Sequence, residues 1–119
     1  MRYSEHVCAR YQRAVEILGK RWTGIILRVL IAGPRRFGEI VEQIGVVSDR
    51  VLSERLKELE AAGIVERRVH PETPVRIEYL LTEKGRALAP VLEAIERWSQ
   101  DWIDAEAARP EGCAESART

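Results

Sequence analysis

The segment spanning residues 37–79 constrains the fold of this chain more than any other part of the sequence. Apolar residues recur at helical spacing over Phe37–Ile44, and a second helix is predicted over residues 48–62. Two β-rich runs follow, residues 64–69 and 76–81, on either side of a tip that contains two prolines. Two short helices followed by a hairpin are typical of a winged helix-turn-helix.

The predicted helix over residues 48–62 has one narrow apolar stripe. With Leu52 at zero and about 100° per residue, Leu56 falls near 40° and Leu59 near −20°. Ser48 can cap the start of the helix, and Gly63 lies where a left-handed residue is expected to end it. The residues on the opposite side are Arg50, Glu54, Lys57 and Ala61. Such a helix can pack on a core and still reach into a groove of DNA.

The hairpin that follows carries basic residues close to its tip. Pro71 and Pro74 remove hydrogen-bond donors from the ladder and stiffen the tip, which can present Arg68, His70 and Arg76 to a phosphate backbone. A surface hairpin with solvated charges would have the same composition. Its place directly after a helix-turn-helix favours a wing.

The charge of the whole chain does not favour nucleic-acid binding, because 19 basic and 19 acidic residues cancel. The distribution is uneven, however. Residues 1–82 hold 14 Lys and Arg against 11 Asp and Glu, whereas residues 83–119 hold 5 against 8. Only the surface that touches phosphate needs a positive potential. The residues that can supply it are Arg35, Arg36, Arg50, Lys57, Arg67, Arg68 and Arg76.

Helices are also predicted at both ends of this unit. Two precede it, over residues 11–18 and 22–32, and a single long helix capped by Thr82 follows it. The long helix repeats apolar residues at close to 3.5-residue spacing, which suits packing on its own domain or on a partner. Two tryptophans at its end favour a two-fold homodimer. The predicted interface comprises Tyr11, Val15, Leu18, Leu88, Val91, Leu92, Ile95, Trp98 and Trp102.

We therefore expect an α+β, mostly helical fold: a winged helix-turn-helix with additional N- and C-terminal dimerisation helices. The domain is predicted over residues 10–104, with an N-terminal arm at 1–9 and a flexible tail at 105–119. The sequence has no apolar run near 18 residues and no secretory leader. We expect a cytoplasmic protein without a membrane partner.

The sequence gives little support to an enzyme. Its only histidines are His6 and His70, no glycine-rich phosphate loop is present, and no nucleophile has a base at a recognisable spacing. Cys8 and Cys113 fit neither a disulfide framework nor a Cys-x-x-Cys motif, and the pair His6 and Cys8 is too small for a metal site. We expect no catalytic residues, no metal and no cofactor.

The chain resembles the HxlR-type transcriptional regulators of bacteria and archaea, over roughly residues 8–98. Ala9 stands where the family often has proline, and Gly19-Lys20-Arg21 where it commonly has Gly-Gly-Lys. The motifs that carry the resemblance are Cys8, Gly19-Lys20-Arg21-Trp22, Ile26-Leu27, Gly33-Pro34-Arg35-Arg36-Phe37, Ser48-x-x-Val51-Leu52-Ser53-x-Arg55-Leu56-Lys57-Glu58-Leu59, Gly63-Ile64-Val65-Glu66-Arg67, Pro74-x-x-x-Glu78-Tyr79-x-Leu81-Thr82-x-x-Gly85 and Trp98.

This resemblance implies a homodimer that binds double-stranded DNA at a palindromic operator, usually to repress a neighbouring gene. Arg50 is our candidate for a bidentate contact with guanine, whereas Arg55, at the edge of the apolar stripe, is assigned to phosphate or to an internal pair. The wing contributes the region from Arg67 to Arg76. From the helix, the resemblance carries over Ser48, Asp49, Arg50, Ser53, Arg55 and Lys57. The alternatives are a winged-helix module for protein contacts only, or a regulator controlled by a small-molecule ligand.

Cys8 has two interpretations. It is either an inert reduced thiol or the sensor of an oxidant or electrophile, as the N-terminal cysteine is in some members of the family. Arg2, Arg10 and Arg13 are close enough in sequence to favour the reactive thiolate. In the second case, oxidised Cys8 would bond to Cys113 on the tail of a partner chain or to a small thiol.

Overall fold

The computed structural model describes residues 8–108, which form helices around one two-stranded antiparallel sheet. The predicted fold class is therefore confirmed. Most of the predicted arm and of the predicted tail, with His6 and Cys113, lies outside the described residues. The elements are α1 (Ala9–Leu18), α2 (Thr23–Ile31), α3 (Phe37–Ile44), α4 (Asp49–Ala61), β1 (Val65–His70), β2 (Arg76–Leu81), α5 (Glu83–Arg86), α6 (Ala89–Trp102) and α7 (Ala105–Ala108).

A single apolar core holds these elements together. Leu52, Leu56 and Leu59, the stripe predicted from the sequence, are all buried in it. The other buried side chains come from α2, α3, the connection between α3 and α4, the base of the hairpin and α6: Ile26, Leu27, Leu30, Ile40, Ile44, Val47, Ile64, Val65, Leu81 and Leu92. One side of α4 is thus fixed to the domain, and its other side faces away.

Both predicted ends of α4 are confirmed. The Ser48 hydroxyl accepts a hydrogen bond from the backbone N–H of Val51 at 3.2 Å. After the helix, Gly63 has φ of 76°, in the left-handed region that glycine adopts at low cost. The Lys84 ammonium donates to the Ala62 carbonyl at 2.6 Å, which places a cation at the negative end of the helix dipole.

The hairpin pairs β1 and β2 so that Val65 lies opposite Leu81 and His70 opposite Arg76. A third segment joins it. Arg35 donates its N–H to the Tyr79 carbonyl at 3.0 Å, and Tyr79 donates to the Arg35 carbonyl at 2.8 Å. This isolated bridge, which was not predicted, ties the connection between α2 and α3 to the base of the hairpin.

The single long C-terminal helix was a wrong prediction, because the structure divides it into α5 and α6. The Thr82 hydroxyl does cap α5, accepting from the Gly85 N–H at 3.1 Å. Pro90, however, lies in the first turn of α6 and has no N–H to bond to the Arg86 carbonyl. Gly85 and Pro90 together were the sequence signal for this break.

The predicted flexible tail begins with a short helix, since Ala105–Ala108 forms α7. The backbone N–H of Glu106 donates to the Asp104 carboxylate at 2.8 Å, a local bond that suits the start of a helix. The small residues from Ala105 onward favour a flexible tail, but alanine is also the strongest helix former. The boundary at residue 104 is therefore not an end of regular structure.

Candidate nucleic-acid interface

The outward face of α4 carries the polar residues that the sequence placed there. Arg50, Glu54, Lys57 and Ala61 are all exposed, on the side opposite the buried leucine stripe. Ser48 and Asp49 at the start of the helix are exposed as well, and Ser53 is half-buried. In a helix-turn-helix, the N-terminal part of the second helix meets base edges in the major groove. The geometry fits that use.

Arg50 is a highly accessible cation of this face, with 83% of its side chain exposed. Its guanidinium lies 3.8 Å from the Glu54 carboxylate, one helical turn further along. An exposed pair of this kind contributes little free energy, about 0.3–0.5 kcal/mol. Arg50 can therefore exchange Glu54 for a hydrogen-bond acceptor of DNA at almost no cost in free energy.

Arg55, one of the predicted DNA-binding residues, is largely covered by its own chain. Only 17% of its side chain is exposed. Its Nε donates to the Arg21 carbonyl at 2.9 Å, and its Nη1 lies 3.4 Å from the Glu58 carboxylate. Of the two roles considered for Arg55, the structure shows the internal pair.

Glu58 joins the inner side of α4 to the connection between α1 and α2. Its carboxylate accepts from the Lys20 ammonium at 2.9 Å and also contacts Arg55. The hydrogen bond from Lys20 is the main cause that lowers the pKa of Glu58 below its ordinary value, and the charge of Arg55 adds to it. The carboxylate is thus held ionised by two cations.

The wing differs most from expectation, because its predicted phosphate contacts are paired with acids of the same hairpin. Arg76 contacts Glu72 at 2.9 Å and Glu78 at 3.0 Å, and the pairing with Glu72 lowers the pKa of that carboxyl. His70 Nε2 lies 2.9 Å from Glu78. Arg68 Nε donates to the Glu66 carboxylate at 3.1 Å. Arg68 with Glu66 and Arg76 with Glu78 each lie two residues apart on one face of one strand, whereas the contact of His70 with Glu78 crosses between the strands.

Other predicted cations keep their charge available. Arg36, Lys57 and Arg67 are exposed, and none of them forms an ion pair with another residue in the described range 8–108. Arg35 is half-buried and donates to the neighbouring Pro34 carbonyl at 2.9 Å. Arg36, Lys57 and Arg67 thus leave more charge available than the paired cations of the wing tip do.

Cys8 occupies the position directly before α1. It is exposed and free, and its carbonyl accepts from the Gln12 N–H at 3.0 Å. Within residues 8–108, no cluster of three potential metal ligands occurs. No helix in this range is long and apolar enough to cross a bilayer.

The terminal helices leave an apolar surface uncovered, which we call the terminal face. It comprises Tyr11, Val15, Val91, Ile95, Trp98 and Trp102, all exposed. Leu92 was predicted to belong to it but is buried in the core of its own chain, and Leu18 and Leu88 are half-buried against that core. Ile25 of α2 is exposed and lines a groove with Ile95. In a helix as uniformly apolar as α2, no periodicity distinguishes an exposed isoleucine from a buried one.

The family model described as HxlR-like helix-turn-helix matches residues 17–107. The chain belongs to the HxlR family. Within this family it is 56% identical over 98 residues to the HTH-type transcriptional regulator YvaP of Bacillus subtilis, covering 82% of this chain and 91% of YvaP. It is 49% identical over 98 residues to YodB of the same organism, covering 82% of this chain and 88% of YodB.

Solved structures place this HxlR protein beside redox-responsive regulators. Reduced YodB superposes with a TM-score of 0.76 at 49% identity, covering 82% of this chain and 96% of that structure. The redox regulator HypR in its oxidised form has a TM-score of 0.76 at 34% identity, covering 81% and 99%. YodB has also been solved diamide-treated and quinone-bound. Our chain is a transcriptional regulator with a DNA-binding helix-turn-helix, and the relatives are regulators and not enzymes.

Proposed function

We propose that this protein represses transcription as a homodimer on a palindromic operator, and that oxidation or alkylation of Cys8 weakens its binding to DNA. The observation that carries the proposal is the division of α4 into a buried leucine stripe and an exposed polar face with Arg50 near its N-terminal end. A helix fixed in this way offers a rigid surface to the major groove.

The terminal face supports the homodimer. Exposed apolar patches of this kind on soluble proteins mark interaction sites, and a two-fold axis would let the same surface cover itself. Two copies of α4 related by that axis must meet the same side of the duplex. Half-sites should therefore lie about 34 Å apart, one turn of DNA, or a multiple of it.

Cys8 is supported as the regulatory thiol by its position and by the relatives. It is exposed, and it immediately precedes α1, one of the helices of the terminal face. YodB has been solved in reduced, diamide-treated and quinone-bound forms. A thiol at this place in a dimer could change how the two recognition helices are spaced. We further propose Cys113 of a partner chain, or a small thiol, as the group that closes a disulfide with Cys8.

A gel shift on the DNA upstream of the protein's own gene tests the proposed function. We expect one retarded complex that contains two chains, with affinity that falls steeply as salt rises, because Lys and Arg release counterions from phosphate. Footprinting would then locate the two half-sites. Binding that is equal for operator and random DNA would contradict the proposal of sequence-specific recognition.

Arg50→Ala should weaken binding to the operator by about 1–3 kcal/mol and relax the preference for one sequence, since a bidentate contact to guanine would be lost. Lys57→Ala, on the same exposed face, is the matched control. It should weaken binding to all DNA sequences alike and reduce the slope of log affinity against log salt concentration by about one. Titrations on operator and scrambled DNA measure both. Equal losses on the two DNAs for Arg50→Ala would assign Arg50 to phosphate.

Cys8→Ser should retain operator binding after treatment with diamide or a quinone, whereas the unmodified protein should lose it. Serine cannot form a disulfide or a thioether, and it is close to cysteine in size. Cys113→Ser distinguishes disulfide formation from alkylation. It should abolish the response to diamide if the disulfide needs Cys113, and it should preserve the alkylation of Cys8 by a quinone. An unchanged oxidant response in Cys8→Ser would show that another group is the sensor.

A further inference from the structure

A cleft separates α1 from the inner side of the recognition helix α4. Its volume is about 200 Å³, and its walls include Arg13, Ile17, Lys20, Glu58 and Leu59. On α1, Arg13 and Ile17 lie on the side opposite Tyr11 and Val15, by the spacing of about 100° per residue. The proposed dimer would therefore leave this cleft open.

Thr23, at the start of α2, also lines the cleft and is buried, with only 2% of the residue exposed. Its backbone N–H donates to the Lys20 carbonyl at 3.1 Å. Its hydroxyl has no hydrogen-bond partner among residues 8–108. Buried hydroxyls are nearly always paired, and one without a partner costs stability, so it calls for an explanation. A ligand atom in the cleft would supply the missing partner.

The charged walls indicate which kind of ligand atom fits. Two cations and two carboxylates line the cleft: Arg13 lies 3.7 Å from Glu16, and Lys20 lies 2.9 Å from Glu58. Glu58 also contacts Arg55 at 3.4 Å, so it keeps a cation if Lys20 turns to another acceptor. Lys20, by contrast, has Glu58 as its one recorded ion-pair partner within the described chain. Lys20 is thus the group that can leave its partner for a ligand. Because Lys20 is a cation, the ligand would be an anion.

The remaining walls and the size limit the ligand further. Ile17, Leu59 and Ala62 give the cleft an apolar side. A volume of about 200 Å³ holds on the order of six or seven water molecules at about 30 Å³ each, which is less than most drug-sized ligands need. We propose that this cleft binds a small organic carboxylate, with its oxygens on Lys20, Arg13 and the Thr23 hydroxyl and its carbon chain against Ile17 and Leu59.

The consequence for DNA binding rests on the proposed function. Lys20 belongs to the connection between α1 and α2, and its bond to Glu58 is one of two ties from that connection to α4; the other is the bond from Arg55 Nε to the Arg21 carbonyl. A carboxylate that takes Lys20 away from Glu58 removes one tie. The recognition helix is then less constrained relative to α1, and operator affinity should fall.

Binding is tested without DNA by amide NMR titration of the full-length protein. Three probes of nearly equal size differ in charge: propionate, propionamide and propylammonium. We expect propionate to shift the amides of Lys20, Thr23 and Glu58 with a dissociation constant on the order of 1 mM, as suits so small a ligand. The other two, and inorganic phosphate, should cause no saturable shift. Saturable binding of propylammonium, or no binding of propionate, would overturn the proposal.

Variants then test each contact. Lys20→Met should lower the affinity for propionate about tenfold or more, because a charge-assisted hydrogen bond is lost. Glu58→Gln should tighten it, since a nearby negative charge is removed; a cationic ligand would show the opposite sign. Arg10→Met, on the same helix but outside the cleft, should bind propionate as the unchanged protein does. Equal affinities in Lys20→Met and Arg10→Met would exclude the assigned role of Lys20.

Thr23→Val separates a ligand role from a structural one. Valine has the same shape without the hydroxyl, so it should weaken propionate and also raise the melting temperature, by about 4 °C or more, if the hydroxyl is unpaired without ligand. A lower melting temperature would mean that the hydroxyl already has a partner within the protein. Operator titrations with saturating propionate complete the test, and we expect operator affinity to fall. A protein that binds propionate but no DNA would refute the proposed function and leave the proposed site in place.

Discussion

Charged residues at Ile95 and Trp98 should convert the protein to monomers and weaken operator binding by about 100-fold or more. In the single chain, 53% of Ile95 and 59% of Trp98 is exposed, so glutamate at either position remains solvated and α6 stays folded. In the dimer, the same carboxylates would be buried without a partner, which is costly. The loss on DNA is large because two linked half-site contacts bind far more tightly than one.

Sedimentation at micromolar concentration measures the first effect and operator titration the second, for Ile95→Glu, Trp98→Glu and the double variant. Gln100→Glu is the matched control, because it adds the same charge to α6 on the side opposite the terminal face. It should remain a dimer with full affinity. A double variant that still sediments as a dimer would remove the terminal face from the interface.

Gly85→Ala should lower the free energy of unfolding by about 3 kcal/mol, the upper part of the usual range for an overpacked site. A Cβ at this position would overlap the Ile64 carbonyl and would lie 3.1 Å from Leu81 Cδ2. The carbonyl cannot move freely, since it accepts from the backbone N–H of Thr82 at 3.0 Å. Relief of the overlap would require that this bond between the hairpin and α5 be broken.

Thermal unfolding followed by circular dichroism, at one fixed protein concentration, measures this effect. We expect a fall in melting temperature of about 12 °C or more. Gly38→Ala is the matched control, because Gly38 lies inside α3 and a Cβ there meets nothing within 4 Å. It should raise stability by roughly 0.5–1 kcal/mol through lower chain entropy. Equal melting temperatures for the two variants would show that the site at Gly85 relaxes without cost.

Helix α4 could be predicted from the sequence because neighbouring residues determine its buried face and its two ends. The spacing of Leu52, Leu56 and Leu59 determines which face is buried, and the structure confirms it. Ser48 and Gly63 mark its ends through bonds and dihedral angles that involve neighbouring residues only. The exposed position of Arg50 then follows from the helical repeat.

The pairing of the wing charges could be predicted only in part in the same way. The pair of His70 with Glu78 depends on the register across the hairpin, which a shift of one residue would change. Arg68 with Glu66 and Arg76 with Glu78 lie two residues apart on one strand, a local signal that the sequence analysis did not use. The sequence also could not show that Leu92 is buried in its own chain, since a heptad-like stripe does not distinguish packing within one chain from packing on a partner chain. Trp22 is a further case: it adopts φ of 76°, a left-handed conformation for which a tryptophan gives no signal.

The bridge between Arg35 and Tyr79 divides the hairpin into two parts that can evolve separately. Its two hydrogen bonds fasten the base of the wing to the segment that leads into α3, while residues 71–75 at the tip lie beyond the last strand pair. A change in the length or composition of the tip therefore leaves the anchored base and α4 in place. Tips from other winged helices could be grafted at this point to change the contacts that the wing makes, while the position of α4 is kept.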